Sequence, residues 1–221
     1  MAGSSGLVGA RLLPLLLNAP EYARVHALSR RPLPLDHPRI ANRVVRFDLP
    51  LETQLKGLRI QDAFCCLGTT RRAAGSQAAF RAVDHDLVVS FARLAASAGV
   101  ERLVVVSSVG ADAGAKNFYL RVKGEMERSL EALRFRSLDI MQPSVLLGVR
   151  RQIRAQEAMA QGAMWLIGPL LLGPWSRFRA IDSATLAAAM LGAVRSGRLG
   201  VHRYTHDAIL GVAAGVEAPR L

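Results

Sequence analysis

Tyr119 and Lys123 stand four residues apart in "NFYLRVKGEMERSL", a stretch with helical periodicity. On a helix, residues i and i+4 share a face, so the two side chains can address one site. A phenol is a poor acid–base group near neutrality unless a neighbouring cation favours its phenolate, and lysine supplies that cation. Just upstream, the apolar run "LVVVSS" ends in Ser107 and Ser108, where a hydroxyl can hydrogen-bond a carbonyl oxygen. Together these groups suit protonation of a carbonyl compound as a nicotinamide delivers hydride to it. Arginine is the default cation of the chain, yet one of its only three lysines, Lys56, Lys116 and Lys123, falls at this position. The choice of serine stays open: spacing to Tyr119 favours Ser107, and position at the strand end favours Ser108.

A hydride donor needs its own site, and two further stretches provide one. Gly3, Gly6 and Gly9 form a G-x-x-G-x-x-G array running into an apolar helical stretch. Glycines so spaced allow a tight turn, close approach of backbone to pyrophosphate and close helix–sheet packing. The helix N-terminus then turns free N–H groups toward the phosphates. About 20 residues further on, where dinucleotide folds read the adenosine ribose, stand Ser29, Arg30 and Arg31. An NAD-selective site carries a carboxylate there; a serine followed by two guanidiniums suits the 2′-phosphate of NADP.

These residues require a scaffold of alternating strands and helices. Residues 7–18 read as a helix interrupted by Pro14, and strand-like runs follow at 25–28, 44–47, 63–67, 103–107 and near 140–147. Residues 73–97 and 118–133 have helical periodicity between them. "SATLAAAMLGAV" predicts a later helix capped by Asp182 or Ser183. The pattern is that of an α/β fold: a doubly wound parallel sheet with helices on both faces, in one domain over 1–221. Alternation weakens after Gly148, so 149–221 is expected to contribute an irregular lid on the substrate side. Only Met1 and Ala2 precede the glycine turn, which truncates the first, central strand. The expectation is that the native chain begins roughly 5–10 residues earlier, with an apolar strand.

Composition narrows the function classes. The chain has 221 residues, 51% hydrophobic, enough for one sizeable core. Its formal charge is +12, but the arginines are spread from Arg11 to Arg220 without a basic arm or aromatic stripe, so no specific nucleic-acid site is predicted. The longest apolar run, 163–175, is broken by Gly168, Pro169, Gly173 and Pro174 and is too short for a membrane span. It suits a hydrophobic substrate pocket, a buried core segment or the interface of a homodimer. Cys65 and Cys66 are adjacent and alone, which fits neither a disulfide framework nor a zinc site and points to a reducing cytoplasm. The five histidines lack metal-ligand spacing, and no metal is expected.

The stretches "GSSGLVG", "SRRPL", "FCCLGTTRRAAG", "SSVGADAGAKNFYLRVKGEMERSL", "QPSVLLG" and "HDAIL" occur in one order across nearly the whole chain. In them the sequence resembles the atypical short-chain dehydrogenase/reductases, of the Tat-interacting-protein type of NADPH-binding oxidoreductase and its bacterial relatives. The resemblance implies an NADP site in which Ser5, Gly6, Leu7 and Val8 surround the phosphates and Arg30 and Arg31 hold the 2′-phosphate. It further implies Asp48 and Leu49 near the adenine, Leu67 and Gly68 beside the cofactor, and Leu146 and Arg154 at its far end. Tyr119 becomes the proton donor and Lys123 a contact to the nicotinamide ribose. The chain departs from the family at Gln142, which stands where an arginine is usual, leaving the local anchoring open. The function implied is NADPH-dependent reduction of a small carbonyl compound. The alternative is an NADPH-binding interaction protein with little or no turnover, as some relatives are described chiefly through partners.

Overall fold

A computed structural model describes residues 1–46, 60–147 and 173–216. Asp48, Leu49, Arg154 and most of the apolar run 163–175 lie outside the described residues. After the glycine turn, helix α1 (Gly9–Asn18) buries Leu12, Leu13, Leu15, Leu16 and Leu17 and continues through Pro14. Strands β1 (Val25–Ser29), β2 (Ile40–Val44) and β3 (Asp62–Cys65) follow. Next come helices α2 (Arg71–Ala74) and α3 (Gln77–Arg81), a π-helical turn (Ala82–Leu87) and α4 (Val88–Ser97). The chain proceeds through β4 (Arg102–Val106), α5 (Phe118–Glu131), β5 (Ser137–Met141) and β6 (Leu146–Leu147). A 3₁₀ turn (Gly173–Phe178), β7 (Ile181–Asp182), α6 (Ser183–Arg195), β8 (Gly200–Tyr204) and α7 (His206–Ala213) complete the described elements.

All strand pairs are parallel: β1 with β2, and β3, β4, β5 and β8 in that spatial order. Ala2 joins the two groups, bridging Leu28 on one side and Cys65 on the other. Its N–H donates to the Phe64 carbonyl, its own carbonyl accepts from Cys66, and the Met1 carbonyl accepts from Leu28. The order is therefore β2–β1–Ala2–β3–β4–β5–β8, the doubly wound arrangement the sequence predicts, with Ala2 in the central place. Beside Met1, a cavity of about 260 Å³ opens between β1, β3 and α4, lined by His26, Phe64, Phe91 and Leu94 among others.

Helices cover both faces because both faces of the parallel sheet are apolar. Leu12 and Leu16 of α1 meet Leu186 and Met190 of α6 and Ile209 of α7 on one side. Val88 and Phe91 of α4 meet Met126 and Leu130 of α5 on the other.

Three details differ from the sequence pattern. The second strand is Ile40–Val44, upstream of the expected run at 44–47, because pairing with the five residues of β1 sets its limits. As an edge strand it is half exposed, so apolar density does not mark it. The expected helix at 73–97 is broken at Gly75, which takes a left-handed φ of 78°, and widens into the π turn. Finally, much of the expected C-terminal lid region is structural: α6 lies in the core and β8 extends the sheet beside β5. Asp182 caps α6, its carboxylate accepting from the Ala184 and Thr185 amides.

Candidate active site

The glycine turn sits at the carboxyl end of the sheet, where strand order reverses about Ala2. Gly3 has φ 82°, and a Cβ there would lie 2.6 Å from the Cys66 carbonyl group. A Cβ on Gly9 would lie 2.1 Å from the Gly3 carbonyl oxygen, so α1 starts hard against the turn. Gly6 N–H donates to the Gly3 carbonyl at 3.0 Å, closing the loop. No side chain caps α1, and the Ala10, Arg11 and Leu12 amides already donate to the Gly6 and Val8 carbonyls. The Ser4 hydroxyl is buried in the same loop with no hydrogen-bond partner among the described residues.

A cleft of about 640 Å³ opens above this turn, within the range of cofactor and ligand sites. Ser5, Gly6, Leu7 and Val8 form one wall; Leu67 and Gly68, leaving β3, form the second. Ser107, Tyr119 and Lys123 close the far side. The glycine cradle and the unpaired Ser4 hydroxyl fit a dinucleotide phosphate. Bound nicotinamide dinucleotide supplies hydride chemistry, and these are the residues that would hold it.

The side chain of Asn117 caps α5, accepting from the Tyr119 and Leu120 amides at 2.9 and 3.3 Å, and so fixes Tyr119 in the first turn. Opposite, α3 and the π turn present Phe80 and Asp84, another i, i+4 pair. The Phe80 ring lies 5.4 Å from that of Tyr119, centroid to centroid, and the Asp84 carboxylate lies 2.7 Å from Lys123 Nζ. Both charged groups are buried, and the second Asp84 oxygen accepts from the Thr69 amide at 2.8 Å. Burial works against the Lys123 charge, but the Asp84 carboxylate and then Tyr119 outweigh it, holding the lysine pKa above its ordinary value. Lys123 is thus a fixed ammonium beside the phenol.

One turn further along α5, Glu127 is buried behind the serines. It accepts from the Ser107 hydroxyl at 2.5 Å, from Gln142 Nε2 at 2.9 Å and from Arg203 Nε at 3.0 Å. Gln142 therefore makes the local anchor, with Arg203 of β8 bringing the cation. The single Ser107 proton is committed to Glu127. The Ser108 hydroxyl makes only a 3.5 Å contact to the Val109 carbonyl, and Ser108 does not line the cleft.

Arg30 and Arg31 are exposed at the carboxyl end of β1, with the Ser29 hydroxyl donating to the Arg31 carbonyl at 2.7 Å. Neither arginine is among the cleft-lining residues, and Leu146 is held in β6 against Ile181. Asp84, Glu127 and Arg203 were not singled out in the sequence. Glu127 had a local signal, since 119, 123 and 127 form one stripe along α5. Asp84 and Arg203 had none.

The NAD(P)H-binding family model matches residues 3–146, the stretch that builds this cleft. The chain belongs to the NAD(P)H-binding family. It is 34% identical over 224 residues to protein HTATIP2 of Rattus norvegicus, covering 99% of this chain and 90% of that one. It is 36% identical over 209 residues to the mitochondrial protein FMP52 of Coccidioides immitis, covering 85% of each chain. Among solved structures, a short-chain dehydrogenase/reductase superfamily protein of Agrobacterium tumefaciens with bound NAD superposes with TM-score 0.67. That match covers 93% of this chain and 76% of the other at 13% identity, and shows the shared fold. The resemblance read from the sequence is borne out by the HTATIP2 relative and by the shared fold: the protein is a member of an NAD(P)H-binding family and has the Rossmann fold. The expectation of a cytoplasmic protein is corrected: FMP52 relatives in three fungi are named mitochondrial. Adjacent reduced cysteines suit a reducing compartment in general and do not distinguish one from another. Among the described residues, no helix is long and apolar enough to cross a membrane.

Proposed function

We propose that this protein is an NADPH-dependent oxidoreductase that reduces a small, hydrophobic carbonyl compound. The observation that carries the proposal is the buried Lys123 ammonium in the same cleft as Tyr119 and the glycine turn. NADPH bound along residues 3–9 would deliver hydride to the carbonyl carbon. Tyr119 gives its phenolic proton to the carbonyl oxygen, and the Lys123 ammonium stabilises the phenolate left behind. Ser107 and Ser108 are the two candidates for the hydrogen bond to that oxygen; Ser107 qualifies only when its proton turns away from Glu127. Preference for NADPH over NADH is assigned to Arg30 and Arg31, whose guanidiniums match a 2′-phosphate and which follow Ser29, not a carboxylate, at the position that would read a free ribose.

The test is NADPH consumption across a panel of carbonyl compounds by the wild type and Tyr119→Phe. The variant keeps the ring packed on Phe80 and is expected to lose turnover by at least about 10²-fold, the usual share of a general acid, with NADPH affinity within a few-fold of wild type. Turnover that survives in Tyr119→Phe overturns the assignment.

A further inference from the structure

We propose that Asp84 is a positioning residue of the acid–base machinery, fixing the Lys123 ammonium against the cofactor loop and setting how strongly it acts on Tyr119. The proposal rests on Tyr119 and Lys123 being that machinery. The carboxylate has two jobs at once: one oxygen meets Lys123 Nζ at 2.7 Å, the other accepts the Thr69 amide at 2.8 Å. Catalytic helix, π turn and β3 exit loop are thereby tied through one side chain.

The element that carries Asp84 is itself unusual. A π turn, Ala82–Leu87, replaces regular helix at this point, and such insertions gather at functional sites. Phe80 at the entry to the turn touches the Tyr119 ring, while Asp84 within it touches Lys123. The segment thus faces both reactive groups.

Electrostatics give Asp84 a role distinct from packing. An ammonium lowers the pKa of a neighbouring phenol, and the Asp84 carboxylate is what keeps Lys123 an ammonium against its burial. Asp84 and Lys123 form a close, buried pair, so the potential felt at Tyr119 depends on both. The other groups facing Lys123 are Tyr119 on its own helix and Cys65 on β3. Arg11 lies across the cleft, and the Arg81–Glu125 and His85–Asp86 pairs flank the same helix contact.

Asp84→Asn keeps the shape and removes the charge; Asp84→Glu keeps the charge and changes the reach. The readouts are the Tyr119 phenol titration, followed by ultraviolet difference absorbance and assigned with Tyr119→Phe, and the pH profile of kcat. Tyr22 and Tyr204 are pushed above the ordinary range by burial, then by their hydrogen bonds to Asp62 and Asp139, and stay clear of the titration. In Asp84→Asn the buried lysine loses the carboxylate that outweighs its burial and with it the ammonium, so the Tyr119 midpoint and the matching limb of the kcat profile are expected to move up together. In Asp84→Glu the midpoint returns to the wild-type value while kcat stays about tenfold lower, because the longer side chain displaces the ammonium.

An unmoved or lowered midpoint in folded Asp84→Asn overturns the proposal. If only Asp84→Glu folds, wild-type kcat in that variant overturns it equally. A wild type without turnover on any carbonyl would instead remove the oxidoreductase assignment, while the Tyr119 titration would still read the effect of Asp84.

Discussion

Replacing Gly124 with alanine is expected to damage both stability and turnover, for a reason written in the packing of α5. A Cβ at this position would lie 2.1 Å from the Asp112 carbonyl carbon and 2.2 Å from the Ala113 nitrogen. Carbon atoms rest about 3.5 Å apart, so more than about 1 Å of separation must be created. The obstructing atoms are backbone, and the Asp112 amide donates to the Leu120 carbonyl of the same helix at 3.2 Å, so no side chain can swing aside. The helix must yield, carrying Lys123 and Tyr119 with it. Overpacking of this kind costs up to about 3 kcal/mol, of which about 1 kcal/mol is returned by the better helix propensity of alanine. The net loss of about 2 kcal/mol corresponds to a Tm lower by about 4–8 °C in a chain of this size. A displacement near 1 Å at the reacting groups lowers kcat by about 10²-fold. The assay pairs thermal melting with steady-state turnover and uses Gly211→Ala as the control, because its Cβ meets nothing within 4 Å. Gly124→Ala behaving like Gly211→Ala in both measurements refutes the reasoning.

Replacing Arg30 and Arg31 together with alanine is expected to weaken NADPH binding by at least about tenfold, with little change for NADH, since charge-assisted contacts to a phosphate are each worth about 1.5–3 kcal/mol; titration calorimetry with both dinucleotides checks this, and equal losses refute it. Burial pushes the Cys65 thiol up to about 11 and raises Cys66 further; Cys65, fully buried, is not expected to react with a thiol reagent at pH 8 until the protein is unfolded. The same shift gives stability a sign. Above pH 9 the unfolded thiols ionise while the folded ones hold their protons, so urea midpoints are expected to fall as pH rises from 9 toward 11, by about 1 kcal/mol per thiol at pH 10. A Cys65→Ala, Cys66→Ala protein whose alkaline loss equals that of the wild type would contradict this.

Glycine spacing, the Tyr119–Lys123 stripe, the Asp182 cap and the parallel alternation were all legible in the sequence. Each is local: it is decided within one turn of helix, one strand or one loop, by chain stereochemistry and side-chain periodicity. Edge strands were less legible, because β2 and β8 expose one side and carry little apolar signal. The register of β2 comes from its neighbour β1, and the break at Gly75 with the π turn comes from how α3 and α4 settle on α5.

What only the tertiary structure decided is how the buried charges are matched. Lys123 is paired with Asp84 from a separate helical segment, and Glu127 gathers Ser107, Gln142 and Arg203 from three different elements. A buried ion costs free energy unless a partner meets it, so such partners must exist. Their identity follows from which elements the sheet order brings side by side. The sequence pointed to Tyr119 and Lys123, the proposed acid–base pair, because helical spacing is a local rule; packing alone chose the carboxylate that holds the lysine in place.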